Sequence, residues 1–81
     1  MASLQVMVVN HREVLWEGEA SYISAPSMSG SVGVLPGRQP LLAALQSGTV
    51  EIAPSSGDRI SFDVENGFIS VDTDLVNVVL D

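Results

Sequence analysis

The chain has no cysteine and no lysine, one histidine, one tryptophan, one tyrosine and two phenylalanines among its 81 residues. Without cysteine neither a disulfide framework nor a thiolate zinc site can form, which suits a reducing compartment. Ten acidic residues face only Arg12, Arg38 and Arg59, leaving a net charge of −7. That balance excludes nucleic acid, whose counterions are displaced by clustered cations, and argues against direct binding to anionic lipid. The acidic residues are dispersed rather than blocked, as on a solvated surface. The longest apolar runs, such as Leu41 to Leu45, are far shorter than a membrane span, and no signal-peptide pattern opens the chain. We expect a soluble chain forming one domain over residues 1–81, with no direct membrane insertion.

The same scarcity bears on catalysis. His11 stands beside Arg12 and Glu13 in a hairpin-turn context, and a Ser/His/Asp triad could be built only by free choice among many serines. Asp72 and Asp74 flank Thr73, but no calcium-loop spacing follows, and side-chain capping of a turn accounts for them. Gly30-Ser31-Val32-Gly33 lacks the Gly-Lys-Ser/Thr and the helix N-terminus of a phosphate cradle. The sequence therefore predicts no catalytic residue, no metal, no cofactor and no ATP binding. Trp16 and Tyr22 leave few rings for a carbohydrate platform, and Trp16 is read as core. Met7 is read as a gap filler, whereas Met28, in a Pro/Ser/Gly-rich loop, would suit an interface.

What the chain does have is regular punctuation between strand-like runs. Leu4 to Val9 stops at Asn10-His11-Arg12. Val14-Leu15-Trp16 is interrupted by Glu17-Gly18-Glu19, and Tyr22 to Ala25 ends at Pro26. Val32 to Leu35 meets Pro36-Gly37, which suits a type II turn, and Thr49 to Ala53 ends in the hairpin-loop composition Pro54 to Asp58. Ile60, Phe62 and Val64 alternate with polar residues, the period of a strand with one buried face. Asn66-Gly67 fits either a type I′ hairpin or a bulge where the strand crosses to another sheet. Phe68 to Val71, a turn at Asp72 to Asp74, and Val76, Val78 and Leu80 complete the chain. Leu41 to Gln46 contains helix formers, but it lies between Pro40 and Gly48 and is read as strand or extended turn. The expected fold is all-β, an antiparallel β-sandwich or flattened barrel of about ten short strands. Gly33, between two valines, is expected to mark a bulge or a close backbone approach.

The segment from Gly30 to Gly48 carries Gly30, Gly33, Gly37, Pro36 and Pro40 ahead of Leu41-Leu42-Ala43-Ala44-Leu45. It resembles the Gly-x-x-Gly-[Val/Ile]-x-Pro-Gly-His-x-Pro-Leu-Leu signature of the N-terminal domain of ε subunits of F-type ATP synthases. Val14 to Glu19 resembles that family's early "apolar, aromatic, x, Gly, x" strand. Asn66-Gly67-Phe68 and Val76 to Asp81 resemble its closing "Gly-Gly-Phe … Val-x-Val-Leu-Ala-Asp". The order, spacing and length together make the resemblance specific.

The resemblance implies a ten-stranded β-sandwich at the foot of the rotor's central stalk. One side would pack on the γ subunit and one end on the polar loops of the membrane c-ring, coupling the two without chemistry. The location implied is the cytoplasmic face of the plasma membrane or its organellar equivalent. Met28, Gly30, Ser31, Gly33, Pro36, Gly37, Arg38, Pro40 and Leu41 are the expected interface positions. Arg38 replaces the family's histidine by a permanent cation, and Ser31 stands where an acidic residue is common. Family members usually continue into two antiparallel helices that can inhibit hydrolysis and in some cases bind ATP. The present sequence stops at Asp81, either as a naturally short subunit or as the sandwich alone, and no such regulation is expected of it. The alternative is a small-ligand or carbohydrate-binding β-sandwich module.

Overall fold

Branched aliphatic residues at every second position build the first strand, β1 (Leu4–Val9), in which Leu4, Val6 and Val8 are buried while Gln5, Met7 and Val9 face the other way. The computed structural model describes residues 3–80; Asp81 of the closing motif lies outside them. Asn10 turns the chain: its Oδ1 accepts the N–H groups of Arg12 (2.8 Å) and Glu13 (2.9 Å). His11 is exposed in this turn, as the sequence suggests. The chain returns antiparallel as β2 (Val14–Ser27).

β2 is where the strand count changes. The two expected runs either side of Glu17-Gly18-Glu19 form one strand of 14 residues that also takes in Pro26. Gly18 does not break it, because the Trp16 ring covers the place of the missing side chain: a Cβ on Gly18 would lie 3.1 Å from that ring. The early part of β2 pairs with β1. A register shift between Ala20 and Tyr22 then lets the later part pair with other strands, as β-bulges do at sheet corners. Pro26 needs no N–H partner, and its carbonyl accepts the Gln46 N–H at 2.8 Å.

The remaining strands are β3 (Gly30–Val34), β4 (Leu41–Leu45), β5 (Gly48–Pro54), β6 (Ile60–Val64), β7 (Gly67–Asp72) and β8 (Leu75–Leu80). The described residues thus contain eight strands rather than about ten. Their order is β1-β8-β7-β4-β2-β5-β6, with β3 on β2 and a β1–β2 pairing that closes the ring. One layer is β4-β7-β8-β1 and the other is β3, the later half of β2, β5 and β6. All ladders are antiparallel except β1–β8, which runs parallel with Val6 opposite Val76. β4 is a strand with Leu45 inward, so its confinement between Pro40 and Gly48 outweighs its helix propensity.

Asn66-Gly67 takes the second of its two readings. β6 pairs with β5, whereas β7 pairs with β4 and β8, so the link crosses between layers and is no hairpin. Gly67 has φ 147°, and a Cβ there would stand 2.1 Å from the Val79 carbonyl oxygen. The space between the layers is filled by aliphatic residues, including Leu4, Val8, Ile23, Ile52, Ile69 and Val78, each fully buried. Trp16 and Phe62 pack against this core while partly exposed.

Candidate functional site

The link between β3 and β4 is the most tightly specified loop. Gly37 has φ 89°, and the Arg38 N–H donates to the Leu35 carbonyl at 3.2 Å, the type II turn that Pro36-Gly37 predicts. The β7–β8 turn lies against it. Asp74 Oδ1 accepts the Gly37 N–H at 2.8 Å, and the Asp74 carbonyl accepts the Gln5 N–H at 2.8 Å. Thr73 Oγ1 donates to Asp72 Oδ1 at 3.1 Å. These carboxylates cap and brace turns, in line with their reading from the sequence. Arg38, Gln39, Pro40 and Leu41 line a shallow depression of about 390 Å³ beside this junction.

The nine expected interface positions follow an edge rather than a single patch. Among the described residues β3 pairs only with β2, so its other side is free. Met28 is 67% exposed at the β2–β3 turn, with Gly30, Ser31 and Gly33 exposed along β3. Pro36, Gly37, Arg38 and Pro40 lie beyond the opposite end of β3; Pro36 is half-buried and the others are exposed. The Met28 N–H donates to the Ala44 carbonyl at 2.9 Å, which places that turn at the far end of β4 from Pro40. Leu41 turns inward against the core, while its neighbour Leu42 is 72% exposed.

Gly33 shows no bulge, since the β2–β3 register runs unbroken from Ile23–Val34 to Ser27–Gly30. The close approach is made by a side chain: a Cβ on Gly33 would meet the Tyr22 hydroxyl at 2.9 Å and the Tyr22 ring at 3.3 Å. Tyr22 therefore covers Gly33 as Trp16 covers Gly18.

A second surface arises from register alone. Ala44 is opposite Phe68, Phe68 opposite Val79, Val79 opposite Val9, and Val9 opposite Val14. Their chain neighbours Leu45, Ile69, Val78 and Val8 point into the core, so this row lies on the outer face of β4-β7-β8-β1 and reaches β2. Phe68 is 45% exposed and Val14 53%, and Leu42 stands on the same face. At the rim, Asn10, His11 and Asn66 border a depression of about 370 Å³ whose apolar wall is Phe68, Val79 and Leu80. The sequence reading missed this row, although two signals were available. Phe68-Ile69 and Val78-Val79 are adjacent apolar residues in strands with one buried face, so one of each pair must face out.

Among the described residues no three His, Cys, Asp or Glu side chains come close enough to share a metal ion. The ion pair Arg59–Glu51, at 3.8 Å, is exposed on both sides and adds little. Among the described residues no helix is long and apolar enough to cross a membrane.

The whole described chain takes part in the resemblance to known proteins. Residues 3–81 match the sequence profile described as "ATP synthase, Delta/Epsilon chain, beta-sandwich domain". The ATP synthase epsilon chain of Corynebacterium diphtheriae is 40% identical over 98% of this chain and 65% of its own length. That of Corynebacterium efficiens is 39% identical over 100% of this chain and 66% of its own length. The chain thus spans about two thirds or less of these relatives. Among solved structures, a chain of the Euglena gracilis mitochondrial ATP synthase superposes with a TM-score of 0.90 at 21% identity. The match covers 99% of this chain and 51% of that one. A chain of the central stalk/c-ring of the Tetrahymena thermophila mitochondrial enzyme gives 0.79 at 17% identity, over 95% of this chain and 62% of that one. These two show a shared fold. Profile and relatives together establish that this chain belongs to the ATP synthase delta/epsilon family, as a β-sandwich domain of the epsilon-chain type.

Proposed function

We propose that the domain is a non-catalytic rotor element of an F-type ATP synthase, coupling the γ subunit to the membrane c-ring. The observation that carries this reading is the apolar row Val14, Val9, Val79, Phe68 and Ala44 on the outer sheet face, which also exposes Leu42 and Leu75. An exposed contiguous apolar strip on a small domain is a docking surface or an aggregation hazard, and membership of a multi-subunit complex favours docking. In this reading the row packs on γ, and the β3 edge with its 35–40 loop faces the ring's polar loops. Arg38 supplies a permanent cation there. The complex holds the domain at the membrane surface, on the cytoplasmic side or its organellar equivalent, with no insertion of its own.

The test is reconstitution of the domain with γ and c-ring, separately and together, followed by pull-down, with ATP titration of the free domain alongside. Retention by the rotor components, with no saturable ATP binding at sub-millimolar concentration, is the expected result. Failure of the domain to be retained would sink the rotor reading. Saturable ATP binding would overturn the absence of a nucleotide site. Because the net charge is −7, association should also slow as salt rises if γ presents basic side chains.

A further inference from the structure

Thr73 (φ 50°) and Asp74 (φ 62°) both occupy the left-handed backbone region without being glycine. They form the two-residue loop of a hairpin whose flanks, Asp72 and Leu75, are paired. That is type I′ geometry, which Asn-Gly fills most easily. A β-branched residue there is strained, and such a conformation persists only where its surroundings hold it. Asp74 supplies the hold. Its carbonyl accepts the Gln5 N–H, and its carboxylate reaches across 37 residues of sequence to the Gly37 N–H, each at 2.8 Å.

The recipient is informative. A type II turn closes with the N–H of its fourth residue, here Arg38, and leaves the N–H of its third residue without a partner inside the turn. Pro36 has no N–H to give. The closing Arg38–Leu35 bond, at 3.2 Å, is at the long end of the normal range. The bond from Gly37 ends on a carboxylate, and hydrogen bonds to an ionised group are roughly twice as strong as neutral ones.

We propose that Asp74 is a positioning residue: its carboxylate holds the Pro36-Gly37-Arg38 turn in one pose and thereby sets how well the 35–40 loop engages its partner. The second half of this statement rests on the docking role assigned to that loop above. Strain in one turn is thus spent on ordering another.

Two substitutions in the intact chain separate the possibilities. Asp74→Gly removes the carboxylate and relieves the left-handed backbone, so the fold should keep its denaturant midpoint or gain. Asp74→Asn keeps an oxygen acceptor and tolerates the same backbone. Amide hydrogen exchange at Gly37 and Arg38, read by NMR, should accelerate on the order of tenfold in Asp74→Gly, the loss expected for one charge-assisted bond. Asp74→Asn should change it by less than about threefold, since a neutral acceptor retains part of the bond. Retention by the c-ring should weaken in the same order. Unchanged Gly37 exchange in Asp74→Gly would overturn the proposal, as would faster exchange with wild-type retention. If the wild type is not retained by the ring at all, the docking reading fails, and the exchange data still decide whether Asp74 holds the turn.

Discussion

The 35–40 loop and the outer face of β4-β7-β8-β1 are both exposed, yet they are built from opposite materials. The loop owes its shape to backbone chemistry: Pro36 fixes one dihedral, Gly37 accepts a positive φ, and Asp74 clamps the result. The face owes its character to side chains that share nothing in sequence, joined only because Ala44, Phe68, Val79, Val9 and Val14 meet in register. A backbone-defined loop offers geometry and little apolar area, which suits orientation and selectivity. A register-defined apolar row offers area, which suits affinity. The two surfaces should therefore fail differently when changed.

The face can be broken through its register without touching the loop. Gly67→Val would place a side chain against the Val79 carbonyl at a φ of 147°. Its destabilisation should be the largest here, about 3 kcal/mol or more, because backbone rather than a mobile side chain blocks the space. A denaturant midpoint within error of the wild type would show that β7 and β8 can separate at this point.

Gly33→Val probes the β3 edge and should cost about 1 kcal/mol, the scale of displacing a packed side chain at an exposed site. Since the obstacle is the Tyr22 ring, the cost should largely vanish in a Tyr22→Ala background. A double-mutant cycle in urea reads the coupling directly, and additive effects would assign the strain to backbone instead. Smallest of all, Arg59→Ala should shift stability by less than about 0.5 kcal/mol, as an exposed pair does. A larger shift would mean that the β5–β6 hairpin depends on this ion pair.

Local chemistry explains what could be read before the fold was known. Pro36-Gly37 specifies its turn, Asn10-His11-Arg12 the end of the first strand, and Ile60 to Val64 the strand period. The family signature runs through the loop because backbone demands of this kind leave direct marks on the sequence. The long β2 was not legible, because whether Glu17-Gly18-Glu19 ends a strand depends on the Trp16 ring lying over Gly18. The choice at Asn66-Gly67 was not legible either, since hairpin and crossover share the same dipeptide and differ only in which strands lie alongside. The same holds for the outer row: adjacent apolar pairs show that something faces out, but only strand pairing lines Phe68 up with Val79 and Val9. Asp74 was correctly read as a turn residue, while its bond to Gly37 is a tertiary fact.

The division of labour between face and loop is tested most directly by measuring binding of the domain to γ alone and to the c-ring alone, for the wild type, Phe68→Asp and Arg38→Glu. Arg38 is exposed in a loop, so Arg38→Glu should keep the wild-type denaturant midpoint. Phe68 is 45% exposed within β7, so Phe68→Asp should lower the midpoint. Binding is compared under conditions where all three proteins are folded. Phe68→Asp should lower affinity for γ by about tenfold or more, as loss of an apolar anchor does. Arg38→Glu should spare γ and weaken the ring contact. Wild-type affinity for γ in Phe68→Asp, with that for γ lost in Arg38→Glu, would contradict this division of labour.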